Sequence, residues 1–332
     1  MVTQSAAGTP RRIVVLGTGG TIAGRAAQPG DNIGYTAGEV GVAELLGAID
    51  APDGGVTLEA EQVAQVDSKD MEFAVWQQLA QRCAHWLAQP DVAGIVITHG
   101  TDTLEETAFF LQSVLAPRKP VVLTCAMRPA TALSPDGPQN VRDAIAVAAT
   151  EGASGVVAVC AGVIHSALDV QKVHTYRVDA FASGDAGPHG YVEEGVVRSL
   201  RNWPAASEER PQKAIALIAS VGTPPRVEIL TSHAGARGAI VDALVRDREA
   251  GASDAVRGLV LAATGNGTLH RELEASALRA QAAGIAVLRA TRCASGQILP
   301  KAGDALPNAG GLSPVKARIA LMLELIGADA SG

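Results

Sequence analysis

The chain has 332 residues, 47% of them hydrophobic but only 3% aromatic, with 36 glycines and a formal charge of −7. That is long for one core and predicts two domains, their interiors packed from Ala, Val, Leu and Ile as in layered α/β proteins. An acidic balance with no Lys/Arg run beyond pairs such as Arg11-Arg12 excludes the electrostatic footprint of a nucleic-acid or anionic-membrane partner, and a small-molecule partner is expected.

The opening MVTQSAAGTPRR has no apolar signal region, and no run approaches the roughly 18 apolar residues of a membrane span, so a cytoplasmic location is expected. From residue 12 onward, short β-branched runs alternate with helical patterns, which predicts βαβ units around a mainly parallel sheet. Strands are expected at 13–16, 94–98, 121–124 and 156–160. Helices are expected at 72–88, where Phe73, Trp76, Leu79, Cys83 and Trp86 recur at helical spacing, and at 104–115 and 138–149. Together they form a larger, doubly wound N-terminal domain over 11–200.

Residues 201–213, polar and carrying two prolines, read as a linker. Beyond them, strands at 214–219, 259–263 and 285–289 alternate with helices to give a smaller C-terminal α/β domain over 214–332. In its closing helix Ser313 is a cap, Pro314 fits the first position, and Val315, Ile319, Met322, Leu323 and Ile326 line one face. Cys83, Cys125, Cys160 and Cys293 lack C-x-x-C spacing and are expected to be buried small hydrophobes, with no metal site.

The first strand runs into a glycine loop, VVLGTGGTIAG. A dinucleotide cradle requires G-x-G-x-x-G/A and an immediate helix. Counting from Gly17, the third small position is Ile22, and GRAAQPGDNIGYTAGEV follows, too rich in glycine for a helix. The loop is read instead as one that lets the backbone approach a reacting group and presents Thr18 or Thr21 at the carboxyl end of the strand. A threonine hydroxyl needs an activating partner to act as a nucleophile.

A second loop of this kind lies in IVITHGTDTLEET. Thr103 with Glu106 three residues on fits a helix capping box, and His99 fits a packed, hydrogen-bonded strand end. Thr101 and Asp102 are left without a structural task.

The segments GTGGTIAG, VDSKDM at 66–71, THGTDTLEET at 98–107 and AMRPATALSPDGPQN at 126–140 resemble the bacterial L-asparaginase family, including its glutaminase-asparaginase members, over nearly the whole chain. The resemblance implies an amidohydrolase converting L-asparagine to L-aspartate and ammonia through a threonine acyl-enzyme, with weaker L-glutamine hydrolysis and no cofactor. Thr21 matches the nucleophile and Tyr35 the tyrosine that hydrogen-bonds it from a following loop; Thr18 is then a framework residue. Thr101, Asp102 and Lys172 match the second catalytic group, in which a lysine of lowered pKa serves as a base or, on a plainer reading, forms an ion pair with Asp102.

In the same resemblance Ser68 binds the substrate α-carboxylate, Asp102 accepts from its α-ammonium, and Asn266 is the substrate-side asparagine of the C-terminal domain. Active sites shared between subunits of a homotetramer or homodimer are implied. Two departures stand out: Lys69 occupies a position where relatives carry glutamine or glutamate, and is expected to point away or pair with Asp70 or Glu72. The glutamate expected before the last helix is absent. Two other functions fit the same fold, a non-catalytic amino-acid sensor and the ammonia-generating subunit of a tRNA amidotransferase; the latter usually carries an N-terminal extension.

Overall fold

A computed structural model of the protein describes residues 11–28, 30–36, 38–47, 49, 56–207 and 210–330. They form two compact units, divided between Ile215 and Ala216.

The first unit begins with β1 (Arg11–Gly19), a single 3-10 turn at Thr21–Ala23, and a small antiparallel hairpin of β2 (Arg25–Ala26) and β3 (Tyr35–Thr36). Then come α1 (Val42–Gly47), β4 (Val56–Val66), α2 (Phe73–Leu87), β5 (Val92–Thr98), α3 (Leu104–Leu115), β6 (Val121–Thr124), α4 (Gly137–Ala149) and β7 (Val156–Cys160). The chain continues through β8 (Val163–Ser166), β9 (Gln171–Lys172), β10 (Phe181–Ala182), β11 (Gly190–Glu193) and β12 (Val196–Ser199). The main sheet has the order β12-β11-β8-β7-β6-β5-β1-β4; β4 to β7 are mutually parallel through β1, and β8, β11 and β12 extend the sheet antiparallel.

Because side chains alternate across a strand, Ile13 and Val15 of β1 share a face with Val96, Val122 and Val157. On that face α4 contributes Val141, Ala144 and Ile145, and α1 packs Leu45 and Leu46 against the same cluster. The opposite set, including Val14, Leu16, Ile95, Ile97 and Leu123, is equally buried. There α2 packs on β5 and on α3, with Trp76 stacked on Phe110 at a centroid distance of 4.9 Å. Strands buried on both faces read as near-continuous apolar runs, which is why β5 to β7 were legible as strands.

The second unit follows α5 (Arg210–Ser220) with β13 (Val227–Thr231), α6 (Ala239–Glu249), β14 (Gly258–Ala263), α7 (Arg271–Ala282), β15 (Ala286–Thr291) and α8 (Pro314–Asp329). Its three strands form a parallel sheet in the order β13-β14-β15. Leu259, Leu261 and Val287 pack with α6 and α7, while α8 covers the other face. Both units are α/β, the first with a mainly parallel sheet, as expected, and the second with a parallel one.

Three expectations change. Residues 214–219 are not a strand but lie inside α5, which also takes up 210–213 of the expected linker. The run AIALIA is too short for its periodicity to separate strand from helix, and Pro211 falls in the first turn, where a missing N–H costs nothing. Cys83, Cys125 and Cys160 are buried free thiols, but Cys293 is exposed. In α8, Ser313 accepts from the Lys316 amide as a cap, and the buried face includes Leu321 and Lys316 beyond the expected residues, with Val315 and Leu323 only partly buried.

Candidate active site

The site is built where β1 and β5, adjacent and parallel, end side by side: Leu16 pairs with Ile97 and Gly17 with Thr98. Thr18 donates from Oγ1 to the Thr98 carbonyl at 2.9 Å, so it ties the two strand ends together and acts as framework. Gly19 and Gly20 follow at φ +104° and +84°, in the left-handed region that favours glycine. A Cβ on Gly19 would come 2.5 Å from the Val66 carbonyl oxygen, and one on Gly20 would run into the backbone of Gly100. Beyond the Thr18 bond, the first loop approaches the second at Gly100 through bare glycine backbone. Thr21, buried, opens the 3-10 turn immediately after this contact, and the Gly24 amide closes the turn on the Thr21 carbonyl at 2.8 Å.

The second loop is held by side chains. Lys172 Nζ, carried in by β9, donates to Thr101 Oγ1 at 2.8 Å and to Asp102 Oδ1 at 2.6 Å. The lysine side chain is 18% exposed and that of Asp102 53%, so the ion pair is only partly shielded from solvent. The Asp102 amide donates to Ser68 Oγ at 3.1 Å, and Thr103 Oγ1 donates to the Ser68 carbonyl at 2.7 Å. The Thr103 half of the expected capping box is thus not made: Thr103 forms no side-chain cap bond to α3, because its hydroxyl is spent on Ser68.

His99 is fully buried beneath this loop. Trp76 Nε1–H donates to Thr107 Oγ1 at 2.9 Å, and because the Gly100 carbonyl can only accept from Nδ1–H, the Thr107 hydroxyl donates onward to Nε2 of the neutral ring, also at 2.9 Å. The remaining ring proton sits on Nδ1 and donates to the Gly100 carbonyl at 2.7 Å. This fixes one neutral tautomer. Burial depresses the imidazole pKa to about 4, although the bond to Gly100 works the other way.

Lys69 pairs with Asp67 at 2.5 Å and Asp70 at 3.2 Å, and these hydrogen bonds hold its pKa above the ordinary lysine value. Its charge is matched by two carboxylates, as expected for Asp70; Asp67 is an addition. Asp67 also caps the short turn that carries Ser68, accepting from the Lys69 amide.

Ser68, Thr101, Asp102 and Lys172 therefore form one hydrogen-bonded group, and the glycine contact sets Thr21's turn against it. Tyr35 lies in β3 by its backbone pairing with Ala26, but its side chain is outside the described residues. Asn266 belongs to the second unit, where its amide bonds the Leu299 backbone both ways, at 3.1 and 2.7 Å. Among the described residues no group of three or more His, Cys, Asp or Glu side chains could hold a metal ion, and no helix is long and apolar enough to cross a membrane.

Two supports escaped the sequence reading. One is the Trp76–Thr107–His99 relay, whose members come from three elements. The other is the loop before α4: Asp136 accepts from the amides of Met127 and Arg128, both at 3.0 Å. That loop grips the hairpin after Thr21, since the Ala26 amide donates to Thr131 Oγ1 at 2.9 Å and the Ala130 amide to the Gly24 carbonyl at 3.2 Å. The turn-forming SPDG was the available signal for it.

Residues 12–205 match the family model described as "Asparaginase, N-terminal", and residues 226–329 the one described as "Glutaminase/Asparaginase C-terminal domain". The chain is 36% identical to a Bacillus subtilis protein named L-asparaginase 2, over 94% of this chain and 82% of that one. It is 33% identical to a Pseudomonas fluorescens glutaminase-asparaginase, over 94% and 86% respectively. A crystal structure of a probable cytoplasmic L-asparaginase from Campylobacter jejuni superposes with a TM-score of 0.85 at 34% identity, covering 95% of both chains.

Proposed function

The chain belongs to the asparaginase family, and we propose that it hydrolyses L-asparagine to L-aspartate and ammonia, with weaker action on L-glutamine, through an acyl-enzyme on Thr21. The observation that carries this reading is the Lys172 contact, 2.8 Å to Thr101 and 2.6 Å to Asp102, beside the glycine loop that presents Thr21.

The substrate's α-carboxylate accepts from the Ser68 hydroxyl, whose oxygen already accepts from the Asp102 amide and so points its proton elsewhere. The second oxygen of Asp102 accepts from the α-ammonium. These charge-assisted bonds select a free amino acid. Thr21 Oγ then adds to the side-chain amide carbon, assisted by the Tyr35 hydroxyl. Backbone N–H groups near Thr101 stabilise the oxyanion, the proton given up by Thr21 passes to the nitrogen, the C–N bond breaks, and ammonia leaves. In the second half, Thr101 directs a water at the ester carbonyl. With its proton off, Lys172 accepts from Thr101 O–H along the contact it makes as a donor in the resting state. Hydrolysis releases aspartate and restores the Thr21 hydroxyl.

A homotetramer or homodimer, in which Asn266 of a second copy closes the substrate side, completes the reading, as does a cytoplasmic location. Sedimentation and cell fractionation test those two statements.

The decisive experiment is ammonia release from asparagine and glutamine by the wild-type chain and by Thr21→Ala. Turnover of asparagine above glutamine in the wild type, none in the variant, and an unchanged melting temperature are expected. An amino acid bound without ammonia release would mark a sensor, and a Thr21→Ala variant with near-normal rate would remove Thr21 from the nucleophile role.

A further inference from the structure

Directly behind Thr21's turn lies a cavity of about 400 Å³ to which none of Thr21, Ser68, Thr101, Asp102 or Lys172 contributes. Its apolar wall includes Ile22 of the 3-10 turn, Leu45 of α1 and Val141 of α4. Three charged side chains also line it: Arg25 and Glu44, paired with each other, and Arg128. Arg128 donates one N–H to the Ser134 carbonyl at 3.1 Å, and a guanidinium has further donors in its planar fork. The three carry a net charge of +1.

A concave apolar wall of this size with a few polar groups is the usual form of a small-molecule site. The lining disfavours a zwitterionic amino acid, whose ammonium would lose its hydration against a single carboxylate, Glu44, that Arg25 already holds. The surplus guanidinium disfavours a cation and matches a carboxylate fork to fork.

We propose that this cavity is a second ligand site, for a small apolar monocarboxylate of the aryl-alkanoate or medium-chain alkanoate class, and that its occupancy alters the affinity of the catalytic centre. The coupling is local. Ile22 follows Thr21 within one three-residue turn, and the cavity wall includes Ala130 and Thr131, the residues that bond Gly24 and Ala26 at the base of the hairpin. A ligand that fills the space behind Ile22 fixes that turn and those bonds together. By linkage, a ligand in the catalytic centre changes the second site's affinity by the same factor. The binding itself does not rest on the asparaginase reading; only the coupling does.

The test is calorimetric titration of the full chain with 4-phenylbutyrate and with its neutral counterpart 4-phenylbutan-1-ol, each repeated over a series of L-aspartate concentrations. One-site saturable binding of the carboxylate is expected, about tenfold tighter than the alcohol. Its Kd should shift with aspartate and then level off. Arg128→Gln should erase the preference for the carboxylate, and Leu45→Trp, which fills the cavity, should abolish binding, both variants melting cooperatively as the wild type does. No saturable binding, or binding that survives both substitutions, overturns the proposal. So does a Kd that is unmoved by aspartate, or one that rises in proportion to it without limit, which would place the ligand in the catalytic centre.

Discussion

The loops that end β1 and β5 do neighbouring jobs by opposite means. The first, GTGGTIAG, has no titratable residue and meets its neighbour through glycine backbone and the one Thr18–Thr98 hydrogen bond. The second, THGTDT, is held by side chains, with Lys172 and Ser68 on one side and the buried His99 relay on the other. Close backbone approach leaves room beside Thr21 for the carbonyl it is proposed to attack, and an anchored polar loop keeps donors and acceptors in fixed places, which is what preorganised catalysis requires. The first loop should therefore be sensitive to added volume, the second to lost hydrogen bonds.

Gly20→Ala tests the first half of that contrast and should have the largest effect. The added methyl meets the Gly100 backbone at φ +84°, where neither chain can yield without moving a strand end. A loss of at least about 3 kcal/mol is expected, with activity at background and a melting temperature far below wild type. A well-folded, active alanine variant would mean that the glycines are not what joins the loops.

Lys172→Met tests the second half. Activity should fall about a thousandfold, as for loss of a general base, while stability changes by about 1 kcal/mol or less because the pair is partly exposed. Ammonia release and thermal melting read the two effects separately. If they fall together, Lys172 is structural and the plainer reading holds.

The contrast also explains what could be read in advance. Strands 121–124 and 156–160 and the helix 104–115 stand where expected, because fully buried strands and amphipathic helices carry their environment in their composition. The long edge strand β4 was not foreseen: its burial is mixed and its apolar residues do not alternate cleanly. The antiparallel β8, β11 and β12 were missed for a similar reason, since β12 is only four residues long and largely exposed. At the site, glycine and threonine loops were legible as local motifs. The Lys172–Thr101 contact spans 71 residues and arrives on a two-residue strand, so nothing short of a family resemblance pointed to it. Thr103 was misjudged because capping is the commonest local use of a threonine before a helix, and the competing acceptor, the Ser68 carbonyl, is distant in sequence.

Thr103→Val asks how much of the second loop's order depends on that one bond. Removing a 2.7 Å hydrogen bond to the Ser68 carbonyl should cost about 1 kcal/mol and loosen the residue proposed to hold the α-carboxylate. KM for asparagine should rise several-fold to about tenfold with kcat little changed, and Thr103→Ser should restore it. An equal loss in kcat and kcat/KM would instead implicate Thr103 in the transition state.

The mildest effect at neutral pH is expected from His99→Gln, and it separates the loops by acid. The first loop contains nothing to protonate, whereas beneath the second His99 stays neutral down to about 4 in the folded chain and titrates near the ordinary value of 6.5 when unfolded. The unfolded state thus binds the extra proton between those values, so this contribution to stability is complete above 6.5 and is lost as the pH falls toward 4. The slope reaches about 1.4 kcal/mol per pH unit, on the order of 3 kcal/mol across the window. His189, whose pKa is also depressed by burial, titrates in both proteins and cancels in the comparison. Denaturant melts of wild type and His99→Gln should therefore close and then cross as the pH is lowered from neutrality toward 4, the variant losing less. Parallel curves would show that His99 is not the group through which acid reaches the site.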